Sequence, residues 1–538
     1  MFVQTLNPTG HLWLTVLIAL IPMITLILLL VIMRITAWLS TIFLGLVTIT
    51  LAVAVWHAPL AATLKSYLYG GLTGVWAINW ITFWGLIIFN TLVLTGDFER
   101  FKGWMVHHAT ADIRIQTIML AWAFGALLEG LVGFGYPWAV VVPILVGLGI
   151  ADLDAIRVSA LANNAPVSFG ALGAPIIGLA AVTGLPLLAL SASIGNLVAV
   201  LALLPPWVLI FLVSGWDGVV ETWPLAIVAS FSYIAGQWPV AHYLGPYLPD
   251  LSGALVSFWV VFAFVKIWRP RTIRGFGGTA LRPAEIAASG SAHSVHTSAR
   301  EAFSVWFPYI VLVAVVVAWT GPWSHLPSIS LYRVAISAQS SITGKAISSV
   351  FNFNPLSGGT SIMVSWLVIL AILRPGGSIV KQVFLKAFKQ MWGALLVAFF
   401  VFAMAYIFVF SGMANSLAYG LSKIGVFFIV LAPILGWIGV VLSGSNTTTN
   451  AMFGPVQAVI GKLLNFPPLL LPSLNSVGAE VGKPVSPQTA SVGVSTSKFV
   501  RSEGQVIRHN MAWTLIMLAY LIVISVVFYY VFPYSMSL

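Results

Sequence analysis

Long apolar stretches separated by short polar runs recur from one end of the chain to the other. Residues 12–33, 37–55, 72–94, 251–265, 303–319 with their flanks, 393–410 and 513–532 approach or exceed the roughly 18–20 apolar residues that carry a helix across a bilayer. Counting interrupted spans raises the expected number to about 12–14 segments. The pattern predicts an all-α polytopic membrane protein. The first apolar stretch lacks both a basic segment before it and a small-residue cleavage site after it, so it reads as a span and not a signal peptide.

Two regions break the pattern. From about 116 to 184 glycine and proline recur at Gly133, Gly135, Pro137, Pro143, Gly147, Gly149, Pro166, Gly170, Gly173 and Pro175, a density that interrupts helices. A second such region runs from about 436 to 496. Sliding the second over the first by 312 positions pairs Pro143 with Pro455, Gly149 with Gly461, Asn163 with Asn475, Gly170 with Gly482 and Pro175 with Pro487. We therefore expect an internal repeat: a first half at 1–267, a polar linker at 268–302 and a second half at 303–538. Paired broken segments of this kind mark a secondary transporter whose substrate site lies between the repeats.

Within the second region, Ser443-Gly444-Ser445-Asn446-Thr447-Thr448-Thr449-Asn450 lies between strongly apolar sequence and carries no charge. Such a run survives at membrane depth only where it lines a cavity enclosed by protein. Ser445, Asn446 and Thr447 are good helix caps, and the N-terminus of the helix they open would suit an anion. Gly133 and Gly135 occupy the corresponding place in the first region, where absence of side chains lets backbone amides approach a ligand.

Composition supports this reading: 60% of the 538 residues are hydrophobic and 7% charged, against about 25% charged in a soluble domain. The net charge of +11 sits in short loops and forms no basic-aromatic face, which argues against nucleic acid. Arg100, Lys102 and Arg114; Arg269, Arg271, Arg274, Arg282 and Arg300; Lys381, Lys386 and Lys389; and Lys498, Arg501 and Arg508 mark four cytoplasmic loops, which places both termini outside. The chain has no cysteine, which excludes disulfides and thiolate chemistry. No cofactor or metal is expected. The adjacent pair His107 and His108 lacks ligand spacing and reads as solvated, and the segment from Gly478 to Pro484 lacks the pattern of a phosphate-binding loop.

Of the thirteen carboxylates, eleven fall in loops or at span ends. Glu129 and Glu480 remain. Glu129 has no helix end or polar run close by, and a charge there is expensive, so it is either a proton carrier or a neutral acid bonded to a neighbouring helix. Glu480 stands three positions before Lys483, a spacing that sets the two on one helical face. Either they pair, or Lys483, followed by Ser486 and Gln488, holds a carboxylate through charge-assisted hydrogen bonds.

The motifs Leu128-Glu129-Gly130, Gly133-Phe134-Gly135, Asn163-Asn164-Ala165-Pro166, Ser443-Gly444-Ser445-Asn446-Thr447 and Gly482-Lys483 with Ser486-Pro487-Gln488 resemble the L-lactate permease family, in order and over essentially the whole chain. The resemblance implies proton-coupled uptake of L-lactate, D-lactate and glycolate across the cytoplasmic membrane. It also implies an all-α fold of two inverted repeats, each with an interrupted or re-entrant hairpin, and a carboxylate site at the Ser-Asn-Thr run. Two departures stand out. Asn446 replaces an acid common in the family, and Glu480 falls where a small or neutral residue is expected.

The functional expectation is a symporter, not an enzyme, with lipid, protons and a small 2-hydroxycarboxylate as partners and a homo-oligomer left open. Glu129 and Glu480 are the candidate proton carriers. The candidate substrate site comprises Gly133, Gly135, Asn163, Ser445, Asn446, Thr447, Asn450, Asn475, Lys483, Ser486 and Gln488. The alternatives are a cation/proton antiporter, which would need a carboxylate in the 443–450 run, and an anion channel.

Overall fold

The computed structural model describes residues 2–108, 110–133, 135–282, 299–326, 329–495 and 502–538. Among them, eight helices are long and apolar enough to cross a membrane, and the bent pair Asp152–Ala162 and Val167–Thr183, turned by 69°, makes a ninth candidate. Leu187–Tyr243 runs for 57 residues, about 85 Å at helical rise against a hydrocarbon core of about 30 Å. It therefore holds more than one crossing. Three apolar helices, Tyr136–Gly147, Val305–Thr320 and Gly358–Leu373, fall below span length. The difference from the expected 12–14 arises because some spans run together and others are cut short.

The expected all-α architecture carries one small addition. Strands β1 (Phe2–Val3), β2 (Tyr332–Gln339) and β3 (Ala346–Phe353) form a sheet, β1 parallel to β2 and β2 antiparallel to β3. The two longer strands alternate in burial, and aromatic and β-branched residues suit them to that role. The Tyr69 ring stacks on Phe351 at 6.0 Å, and the Tyr406 hydroxyl donates to the Val350 carbonyl at 2.8 Å. The sheet thus lies against helix Leu60–Thr73 and the long helix Gly377–Ser411.

The described part of the linker is tied down by charge. Arg114, fully buried, donates to Asp112 Oδ2 at 2.6 Å, to Glu221 Oε2 at 3.0 Å and to the Thr272 carbonyl at 2.7 Å. Arg274 donates to the same Glu221 oxygen at 2.8 Å. Asp112 and Glu221 were expected in loops or at span ends; Asp112 caps the helix start at Ile113, whereas Glu221 lies inside helix Pro205–Tyr243 beside its kink at Thr222, and the network holds both. The side chains of His107, His108 and Arg300 and residues 283–298 fall outside the description.

Eight helices build the two interrupted regions: α1 (Phe124–Leu131), α2 (Tyr136–Gly147), α3 (Asp152–Ala162), α4 (Gly170–Thr183), α5 (Phe428–Ser443), α6 (Asn446–Leu463), α7 (Leu470–Gly482) and α8 (Pro487–Ser495). Left-handed backbone makes the breaks. Gly133 (φ 68°) and Gly135 (φ 78°) separate α1 from α2, and Gly444 (φ 73°) separates α5 from α6. At the start of α4 three consecutive residues, Ala171 (φ 47°), Leu172 (φ 57°) and Gly173 (φ 80°), turn left-handed. For the alanine and the leucine this costs about 1–2 kcal/mol each. Packing between the regions is reciprocal: α4 lies on α6, and α8 lies on α2. The Ser168 amide donates to Glu480 Oε1 across 312 positions of sequence, the repeat register itself.

Candidate functional site

The polar run folds as its caps predict. Ser445 is the N-cap of α6, its hydroxyl accepting from the Thr448 amide at 3.2 Å. The Thr449 amide goes to the Ser445 carbonyl at 3.0 Å, while the amides of Asn446 and Thr447 find no acceptor among the described residues. The start of an 18-residue helix therefore presents free donors and the positive end of its dipole. Removing the cap with Ser445→Ala is expected to cost about 1 kcal/mol, read as a lowered melting midpoint of the purified protein; an unchanged midpoint would count against the cap.

That helix start borders a cavity of about 380 Å³, within the usual range for small-molecule sites. Glu129, Gly133, Ser445, Asn446, Thr447 and Lys483 all line it. Lys483 Nζ donates to Glu129 Oε1 at 2.6 Å, and Asn163 Nδ2 donates to Glu129 Oε2 at 3.0 Å. Both members of the ion pair are buried, Glu129 at 1% exposure and Lys483 at 7%. Gly170 closes over the pair so tightly that a Cβ there would sit 2.8 Å from Glu129 Oε1.

The expected spatial neighbour of Lys483 is thus replaced. Glu480 makes no ion pair with it; its Oε1 accepts from the Ser168 amide at 2.5 Å, and its Oε2 is buried without a partner. Helix α7 ends at Gly482 and Lys483 opens a 3-10 turn, so the glutamate serves the tip of the first region while the lysine reaches Glu129 on α1. Gly135, Asn163, Asn450, Asn475 and Ser486 lie around the cavity without lining it. Asn450 Nδ2 donates to the Pro175 carbonyl at 3.1 Å and Asn475 Nδ2 to Asn450 Oδ1 at 2.9 Å, which ties α4, α6 and α7 together. Asn446 Nδ2 donates to the Ser476 carbonyl at 3.2 Å from the cavity wall. Ser486 accepts from the Thr489 amide at 3.3 Å as a helix cap, and Gly135 packs near Thr489 and Val492. The Gln488 side chain lies outside the described residues.

Two features escaped the sequence reading. Asp250, assigned to a span end, is indeed at the start of helix Pro249–Ile267, but it is fully buried against Gly130 and accepts from the Tyr233 hydroxyl at 3.1 Å. Its second oxygen has no partner. Gln390, next in sequence to the basic run ending at Lys389 and not singled out there, lines the cavity, donating to the Tyr136 hydroxyl at 2.7 Å and accepting from Asn90 at 2.8 Å.

Broken helices enclosing a buried ion pair and an open helix N-terminus define a multi-pass membrane transporter. Comparison with known proteins gives the same class. The L-lactate permease sequence profile matches residues 15–532. The chain is 32% identical to the glycolate permease GlcA of Escherichia coli (strain K12) and 30% identical to the L-lactate permease of Bacillus subtilis (strain 168), each over 98% of both chains. It is 29% identical to the L-lactate permease of Escherichia coli (strain K12) over 95% of both. In fold it is similar to the YdaH transporter of Alcanivorax borkumensis, with a TM-score of 0.52 at 14% identity, covering 93% of this chain and all of that one. The chain belongs to the L-lactate permease family, and it is a transporter and not an enzyme.

Proposed function

We propose that this transporter takes up L-lactate, D-lactate, glycolate and related short 2-hydroxymonocarboxylates with protons across the cytoplasmic membrane. The observation that carries the proposal is one cavity lined by a buried ammonium, a buried carboxyl and the free donors of a helix start. The ammonium and the α6 amides suit a carboxylate; Glu129 supplies a place for a proton. The names of the relatives, lactate and glycolate permeases, support the substrate class.

The halves at 1–267 and 303–538 act as inverted repeats joined by 268–302, a reading supported by the reciprocal packing of α4 on α6 and α8 on α2. With basic loops on the cytoplasmic side and both termini outside, Trp38 and Gln390 on the cavity lining lie at its cytoplasmic end.

Binding one anion with one proton moves no net charge, so a pH gradient alone drives accumulation. Labelled L-lactate should enter proteoliposomes faster as the outside is made more acidic than the inside, and accumulation should collapse when a protonophore dissipates the gradient. Uptake indifferent to the gradient would remove proton coupling, and absence of lactate and glycolate uptake would remove the substrate class.

A further inference from the structure

We infer that the Glu129–Lys483 ion pair is a lock on the substrate site, opened by a proton before the substrate binds. The inference rests on the carboxylate-transport reading above and adds to it an order of events. In the structure the Lys483 ammonium is already committed to one carboxylate, Glu129 Oε1 at 2.6 Å. A substrate carboxylate arriving from the cavity would be the second anion on one buried cation. Two like charges sharing a water-poor site repel, and the lower the local dielectric the more they do so. The conflict disappears when Glu129 is neutral, and Lys483 is then left with an unpaired charge that the substrate satisfies.

None of the described titratable neighbours forms an ion pair that would relieve this conflict. Lys483 comes from the turn after α7 and is the sole cation within ion-pair distance of Glu129 among the described residues. Glu480 on α7 points its bonded oxygen at the Ser168 amide. Asp250, on the helix packed against Gly130, is held by Tyr233. Three buried carboxyl groups thus surround one ammonium, and among the described residues of the cavity lining Lys483 is the cation a substrate carboxylate can meet.

Asn163 is built for both states of the lock. Its Nδ2 donates to Glu129 Oε2 at 3.0 Å, which suits the carboxylate, while its Oδ1 is buried and without a partner. A protonated Glu129 has an O–H to donate, and a flip of the amide, a half-turn about Cβ–Cγ, would bring that oxygen to accept it. The tip of α4 is close enough at Gly170 to feel the change.

The cycle then runs without a leak. A proton taken from outside neutralises Glu129 and frees Lys483; the substrate binds; after reorientation it leaves to the cytoplasm; Glu129 releases its proton there and recloses on Lys483. Neither half-loaded form is favoured, since each leaves an uncompensated buried charge.

Calorimetry on the purified native protein tests whether opening of the lock by a proton and lactate binding are coupled. L-lactate would be titrated across a pH series in two buffers of different ionisation enthalpy, so that protons taken up on binding are counted. At the alkaline end we expect one proton taken up per lactate, with affinity falling about tenfold per pH unit. Glu129→Gln should bind lactate with no proton uptake, at one affinity throughout, equal to that of the native protein at acid pH. Flat affinity and no proton uptake by the native protein would overturn the lock and leave the substrate reading standing. A folded Glu129→Gln that binds no lactate would overturn it by making Glu129 a ligand in place of a competitor. Should that variant fail to fold, Glu129→Asp, one methylene shorter, should bind lactate more tightly than the native protein at alkaline pH, and equal or weaker binding overturns the lock. A native protein that binds neither lactate nor glycolate at any pH removes the substrate reading and the lock together.

Discussion

Glu129→Gln is expected to abolish concentrative uptake while sparing exchange of lactate already on both sides of the membrane. The amide keeps the shape of the side chain and its contact with Asn163, and it stands permanently for the neutral state. A carrier that is always neutral at this point takes substrate on and off without a proton. Reorientation of the loaded form therefore continues, but the pH gradient has no handle on it, and internal lactate should rise only to the external concentration. The measurement is uptake of labelled lactate by proteoliposomes under an inward proton gradient, paired with counterflow at equal pH on the two sides. Equal accumulation by the variant and the native protein would remove Glu129 from the coupling.

Lys483→Ala has the second large effect, on both binding and stability. A hydrogen bond to a charged group contributes about 1.5–3 kcal/mol, so lactate affinity should fall by roughly ten- to hundredfold. Breaking a buried ion pair from one side is destabilising by about 3–5 kcal/mol because the remaining charge has no partner. Here Glu129 is left, fully enclosed. A proton can relieve it, so the loss should be largest at alkaline pH and smaller in acid, where the carboxyl is neutral. Adding Glu129→Gln to Lys483→Ala should restore the melting midpoint and leave the affinity low. Unchanged lactate affinity in the single variant would reduce Lys483 to a structural residue.

Much of this site was legible before any coordinates. The 443–450 run is too polar for lipid, and Glu129 and Lys483 are too costly to bury without reason, whatever the fold. These arguments depend only on the solvent. What stayed hidden were the choices made across space. The three-residue spacing of Glu480 and Lys483 describes a continuous helix, but the helix ends between them and each side chain finds a partner in the first region. Asp250 follows a proline at a helix start, which reads as a surface cap, and the close approach of Gly130 that buries it has no local signature. Asn450 and Asn475 read as ligands because buried amides need partners, yet they satisfy that need largely with each other and with the backbone of α4. The β2 and β3 strands lay in a connection too short and too polar to register among span-length windows.

The left-handed triplet at the start of α4 has a consequence for how fast and how durably such a protein works. Ala171 and Leu172 together hold about 2–4 kcal/mol of backbone strain, similar to the gap between the two states of a bistable protein. A change of state that relaxed the tip would recover that strain, and the tip lies one residue from the Glu129 contact at Gly170. Relaxing it would favour thermal endurance, whereas retaining it keeps the alternative state within thermal reach. Turnover and shelf life therefore pull in opposite directions on the same three residues.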